Sequence, residues 1–257
     1  MSTSKEIRDR EPDFSNAIEI LSRYRFVQVG QNNILYANLE RNSQLEDRAR
    51  TAQNLALIIT GPSGVGKDAV VNKLLSLDTN PPFSRVKTAT SRKPRDEEKG
   101  LGKVRPYFYI PGPTEFIAMV EEGKLIEYVS YGGNYYGLPW RNFRKAHGIP
   151  IIRVDPKGAE TLMTKWQNRE NLFSNYLLLE FFILPESKNS LISCLRNREG
   201  FNAGANEMIA RRLAEFSSDI SRMPTTSYAV INKYGYLNET VQAITHIANL
   251  WQGELII

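Results

Sequence analysis

GPSGVGKDA, residues 61–69, is the stretch whose reading decides the fold. Its first seven residues have the G-x-x-x-x-G-K spacing of a phosphate-binding loop. The flanks agree: LALIIT, of strand character, leads in, and DAVVNKLL, of helical character, leads out. Glycines let successive backbone N–H groups turn inward as an anion nest. The following helix start adds its positive dipole end. Lys67 supplies a point charge for the outer phosphates. Gly61, Pro62, Ser63, Gly64, Val65, Gly66, Lys67, Asp68 and Ala69 are therefore the candidate triphosphate-binding residues. Asp68 stands where a Ser or Thr normally gives its hydroxyl to Mg²⁺. A carboxylate also ligates Mg²⁺, and an acid in a first helical turn favours the dipole. Both readings stay open, with Mg²⁺ contact, direct or through water, the favoured expectation for Asp68.

Working outward, apolar runs of strand length alternate with stretches of helical period. Residues 55–60 precede a helix from Lys67, and residues 150–154 precede one from Lys157. Residues 177–184 precede a helix from Ser187, and residues 228–231 precede one from Glu239. Buried strands separated by helices predict an α/β fold, a parallel sheet covered on both faces. Two segments break the rhythm, about 86–138 and about 194–212, and both follow strands. Ligands bind beyond the carboxyl ends of strands in such sheets, so these insertions are the expected substrate-handling parts. Residues 1–54 read as a separate layer without chemistry. Ser15 there would cap a helix over 16–25, and Asn32 and Asn33 would turn the chain before the apolar residues 34–39.

The chain has 257 residues, enough for one domain with an appendage or for two small ones. One cysteine, Cys194, excludes an internal disulfide and suggests a reducing, cytoplasmic setting. The N-terminal residues lack the apolar core of a secretory signal, and no apolar run reaches the roughly 20 residues of a membrane span. The net charge of +5 is not spread evenly. Residues 1–54 hold eight basic and eight acidic residues, whereas residues 87–105 carry an excess of Lys and Arg. A local excess favours small phosphorylated ligands over a nucleic-acid stripe.

That excess includes Arg92 and Arg95, on either side of Pro94. Two guanidinium forks so close together suit a phosphate; the competing view is a solvated charge run with Asp96, Glu97 and Glu98. Six of the twelve tyrosines follow between Tyr107 and Tyr136. For Tyr109, Tyr128 and Tyr131 core packing is the expected role.

At this point the sequence resembles the guanylate kinase family, over about residues 55–251. GPSGVGK resembles its ATP loop. TSRKPRDEE resembles its T-T-R-x-P-R-x-x-E element, aligning Arg92, Arg95 and Glu98. LIEY aligns Glu127 with a guanine-reading glutamate, and GGNYYG aligns Tyr136 with a phosphate-binding tyrosine. Tyr107 falls on the tyrosine of Y-x-F, and Asp155 on the second acid of D-x-D. LRNREG and EMIARRLAEF resemble the lid and place Arg198 and Arg212 on family arginines, while AVINK places Asn232 on a family asparagine. The resemblance implies a P-loop fold and ATP-dependent phosphorylation of GMP, with Mg²⁺ as cofactor and nucleotides as partners. It implies that Thr88, Arg92, Arg95, Tyr107, Glu127, Tyr136 and Asp155 bind the acceptor and that Asn232 serves the ATP side. Lys67, Arg92, Arg198 and Arg212 would neutralise charge during transfer.

Four positions depart from the family pattern. Leu138 stands where a Ser or Thr touches the base, Arg153 replaces the first acid of D-x-D, Cys194 replaces a lid arginine near Arg196, and Asp68 follows the loop lysine. A G-K-D loop also resembles ribose 1,5-bisphosphate phosphokinases, whose acceptor lacks a base. A silent guanylate-kinase-like interaction module is the third reading; Lys67 argues against it, and Glu127 with the S-R-K-P-R element argues for the nucleotide.

Overall fold

The computed structural model describes residues 16–99, 105–131, 133–200 and 203–255. The chain enters through α1 (Ala17–Arg23), the hairpin β1 (Val27–Val29) and β2 (Leu35–Ala37), and α2 (Leu39–Ala49). β3 (Asn54–Thr60) then runs through the glycine loop into α3 (Lys67–Leu75), and β4 (Phe83–Val86) follows. Next come β5 (Thr88–Thr90), β6 (Tyr107–Tyr109), α4 (Pro113–Glu121), β7 (Leu125–Tyr131) and β8 (Asn134–Pro139). The chain returns by α5 (Trp140–Arg144), β9 (Ile149–Arg153), α6 (Pro156–Gln167) and β10 (Tyr176–Pro185). It finishes with α7 (Lys188–Glu199), α8 (Ala203–Ile220), β11 (Tyr228–Asn232) and α9 (Leu237–Gly253).

The apolar runs become neighbours in one sheet, ordered β1-β2-β11-β10-β3-β9-β4. From β11 to β4 every pairing is parallel. Strands covered on both faces need continuous apolar sequence, since neither side meets water; β10 is buried from Leu177 to Pro185. Glu180 interrupts that run yet stays inside, its carboxyl pushed up to about 8 by burial. β5 to β8 form a second sheet, ordered β6-β5-β8-β7, with its own small core of Ala89, Ile110 and Phe116. It faces the loop and residues at the carboxyl ends of β3 and β9, the position that open α/β sheets use for ligands.

Residues 16–54 do not stand apart as the separate layer expected from their composition. β2 pairs antiparallel with β11, and Ile20, Leu35 and Leu45 belong to the same hydrophobic core as β3 and β10. The reason is edge protection: a strand on β11 covers peptide groups that would otherwise be open. The first helix is shorter than expected and is capped by Asn16, whose side chain accepts from Glu19 N–H at 3.0 Å; Ser15 lies outside the described residues. Asn38 ties this segment down twice. Its Oδ1 accepts from Arg41 N–H at 3.3 Å, starting α2, and its Nδ2 donates to the Pro224 carbonyl at 2.9 Å. Asn38→Ala should therefore cost about 1–3 kcal/mol, a lost cap plus a lost buried hydrogen bond. Chemical denaturation should retain one transition, and two separate transitions would show that residues 16–54 fold as an independent unit.

Candidate active site

The donor loop takes its shape from positions that only glycine fits. Gly61 has φ +129°, and a Cβ there would lie 2.3 Å from the Ile183 carbonyl of β10. Gly66, at φ +88°, opens α3, and a Cβ on it would meet Asn232 Nδ2 at 2.5 Å. Asn232 is thus a buttress: its Nδ2 donates to the Val65 carbonyl at 2.9 Å and its Oδ1 accepts from Thr240 at 3.3 Å. Lys67 is buried and folds back on the loop, its Nζ donating to the Gly61 and Pro62 carbonyls at 2.6 Å each. Burial, then the charge of Arg153, lowers its pKa; Asp219 on α8, Asp68 and Asp155 act in the opposite sense. Burial raises the Asp219 carboxyl. Arg198 and Arg212 approach the loop from α7 and α8, both donating to the Ser63 hydroxyl, Arg198 at 3.5 Å.

The loop lines one side of a cleft of about 660 Å³; Thr88, Tyr107, Glu127 and Tyr136 of the second sheet line the other, with Arg92 and Arg95 from the segment after β5 and Asp155 between. Glu98 organises the arginines. Buried, it accepts from Arg92 Nη2 at 2.8 Å through one oxygen and from Arg95 N–H at 2.7 Å through the other. Asp96 instead pairs with Lys99 on the surface, so the run DEE is part clamp and part solvated. The Arg92 guanidinium then lies over the Tyr107 ring, 5.3 Å from its centre, and Tyr136 packs 6.1 Å from that ring. Tyr128, expected in the core, is 49% exposed on β7.

Glu127 is buried at the floor of the cleft. A backbone hydrogen bond from Leu138, opposite it in the β7–β8 pairing, steadies one side of the carboxyl, while Oε2 has no hydrogen-bond partner. Gly158 at the start of α6 makes the room: a Cβ there would sit 3.0 Å from Oε2. Burial, then the charge of Asp155, pushes the Glu127 carboxyl up to about 8. Asp155 caps α6, accepting from the Lys157 and Gly158 amides at 2.9 and 3.0 Å. The Leu138 side chain packs into the main core.

Asp68 and Arg153, two of the four departures, touch. Asp68 Oδ2 accepts from Arg153 Nη2 at 2.8 Å, and Oδ1 lies 3.7 Å from Arg85 Nη1. Burial opposes ionisation of Asp68, but the charges of Arg153 and Arg85 outweigh it and hold the carboxyl below the usual range. A carboxylate answered by two guanidinium groups does not suit direct bonding to Mg²⁺, because the added cation would sit beside like charges. The two guanidinium groups weigh against a direct Asp68–Mg²⁺ bond, while Oδ1, which has no hydrogen-bond partner, leaves room for the contact through water. Among the described residues no group of three or more His, Cys, Asp and Glu side chains could hold a metal ion.

A family profile described as guanylate kinase matches residues 53–249 of this chain, most of its length. The chain belongs to the guanylate kinase family. A relative named guanylate kinase 2, chloroplastic/mitochondrial, from Oryza sativa subsp. japonica is 34% identical over 216 residues, which are 83% of this chain and 70% of that protein. A guanylate kinase from Prochlorococcus marinus subsp. pastoris is 31% identical over 194 residues, 74% of this chain and 95% of its own. The crystal structure of guanylate kinase from Anaplasma phagocytophilum shares the fold, with a TM-score of 0.55 at 23% identity over 79% of this chain and 88% of that one.

In this member of the family, then, the glycine loop, the second sheet and the α7–α8 arginines meet around one cleft. Cys194 and Arg196 are exposed on α7, and neither lines the cleft. Reading by residue type passed over Arg85, Gly158 and Asp219, and gave Glu98 no role. Only the acid three residues after Arg95 carried a visible signal. Lys67→Ala should keep the circular dichroism spectrum of the native protein while reducing ATP-dependent turnover by at least roughly 100-fold, the scale of losing one aimed cation. Near-normal turnover by the folded variant would remove the loop from the chemistry.

Proposed function

We infer that this guanylate kinase transfers the γ-phosphoryl group of ATP to GMP, yielding ADP and GDP. The observation that carries the reading is Glu127: a buried carboxyl with an unpartnered oxygen, lining the same cleft as the phosphate-suited Arg92 and Arg95. Guanine offers N1–H and N2–H₂ on one edge, two donors that a carboxylate accepts together and that adenine lacks. A buried acceptor pair rejects a base that leaves it unpaired. The relatives named as guanylate kinases support the same acceptor.

The residues divide the work. Arg92, steadied by Glu98, with Arg95, Tyr107 and Tyr136, receives the GMP phosphate, and Thr88 lies by the base. The loop amides and Lys67 receive the β- and γ-phosphates of ATP, and binding draws the Lys67 ammonium from its own carbonyls to those oxygens. Arg198 and Arg212 reach the loop end where charge builds on the transferring group, so transfer rests on alignment and neutralisation, without a covalent nucleophile. A divalent ion, which such kinases take up with ATP, neutralises phosphate charge; we assign no bond from Asp68 to it. A reducing, cytoplasmic setting is proposed from the lone exposed Cys194.

An acceptor panel of GMP, dGMP, AMP, UMP and ribose 1,5-bisphosphate tests the assignment. GMP should be the best substrate, and Glu127→Gln should lose the preference because its amide turns a donor toward a guanine donor. Arg92→Ala should weaken all monophosphates alike, since phosphate carries no base identity. Turnover of ribose 1,5-bisphosphate without GMP would overturn the reading.

The same carboxyl predicts a pH dependence. Free Glu127 titrates near 8, and only its ionised form accepts both guanine donors. Below that value GMP binding must expel a proton, so KM for GMP should fall as pH rises, by up to roughly tenfold per unit, and level off above about 8. Measurements from pH 7 upward avoid the phosphate's own ionisation near about 6. Glu127→Gln should flatten the curve, and an unchanged slope would remove Glu127 as its source.

A further inference from the structure

We propose that Arg153 is a positioning residue, a strut that joins the donor loop to the acceptor phosphate site by holding Asp68 and Tyr107 with one guanidinium group. The inference deepens the functional reading above and rests on it. Arg153 ends β9 in the main sheet. Its Nη2 donates to Asp68 at the start of α3, and its Nη1 donates to the Tyr107 hydroxyl on β6 of the second sheet. The guanidinium carbon also lies 5.4 Å from the centre of the Tyr107 ring. One planar group thus spans three elements: the helix that begins at Lys67, the central strand layer and the strand that brings Tyr107 beside Arg92.

The arrangement explains two departures as one. An arginine in place of the first acid of D-x-D would alone add a charge by the cleft, and an acid after the loop lysine would keep only the more distant Arg85. Together they form an ion pair, with the Arg153 and Asp68 side chains 23% and 43% exposed. Arg85 completes the surroundings, 3.7 Å from Asp68 Oδ1 while its Nη2 donates to Asn72 on α3 at 2.6 Å. The fork is essential to the proposal. Lysine would preserve the charge but not two directed N–H groups in one plane. Tyr107 is buried between Arg92 and Arg153, so fixing its hydroxyl fixes the wall against which the acceptor phosphate docks.

The test is a double-mutant cycle of Arg153→Lys and Tyr107→Phe, read by calorimetric GMP binding without ATP or metal, by KM for each substrate, and by melting temperature. Each single variant should weaken GMP binding by roughly 5- to 30-fold, and the double variant should be little worse than either, the signature of coupled residues. For Tyr107→Phe, which leaves the Asp68 arm intact, KM for ATP should stay within about twofold, a split that general loss of stability would not produce; Arg153→Lys, which cuts both arms, should raise KM for ATP as well. Losses that multiply independently, or wild-type GMP affinity in Tyr107→Phe, would overturn the strut; if Arg153→Lys does not fold, Arg153→Gln takes its place in the cycle. A wild-type protein that fails to bind GMP would overturn the functional reading instead. The strut would then stand or fall on whether the melting shifts of Tyr107→Phe and Arg153→Lys are non-additive.

Discussion

The donor loop can lie against β10 only because position 61 has no side chain. At Gly61 the backbone passes so near the Ile183 carbonyl that a Cβ would overlap it. That approach places the loop beyond the end of β3 and turns its carbonyls toward Lys67, which donates to both. Asn232 closes the arrangement from behind through Val65. The start of α3, the direction of Lys67 and the reach of the α7–α8 arginines to Ser63 all follow from this one contact between backbones. Another residue at position 61 would displace the whole donor half of the cleft.

Charge governs the cleft as a whole. Lys67, Arg92, Lys93, Arg95, Arg153, Arg198, Arg211 and Arg212 line it with Glu127, Asp155, Glu215 and Asp219. Such a set is costly in an enclosed space unless each charge has a partner or a ligand arrives to match it. The protein matches some internally: Glu98 orders Arg92, and Arg153 answers Asp68. Arg198 and Arg212 rest on a neutral hydroxyl among their contacts, an arrangement that phosphate oxygens improve. Glu127 is buried where its ionised form is disfavoured until a donor edge meets it. The cleft therefore carries mixed charge, with Lys67 among Asp68, Asp155 and Asp219 at the loop and the carboxyl of Glu127 at its floor.

The described part of the N-terminal segment, residues 16–54, packs into the main sheet and core. Its hairpin extends the main sheet over β11, and the Asn38 bonds to α2 and Pro224 fasten it. Since β11 leads to Asn232, the segment supports the strand whose end buttresses the donor loop. None of its described residues lines the cleft.

Much of this was legible in the sequence because it is local. Strand, glycine turn and helix follow one another within residues 54–75, and apolar runs of strand length announce burial wherever they fall. The order of the strands, and hence every partner distant along the chain, was not legible. Asp68 and Arg153 are 85 residues apart and meet only because β9 lies beside β3; read singly, the first suggested a metal ligand and the second a loss. Leu138 looked like a change at the base; its side chain is buried in the main core, and its backbone holds Glu127. The sequence by itself determined which residue types stand next to the loop and which runs are buried, since both depend on spacing along the chain. Which charge answers which was decided by the tertiary structure, because electrostatic partners are chosen by distance in space and the sheet sets that distance.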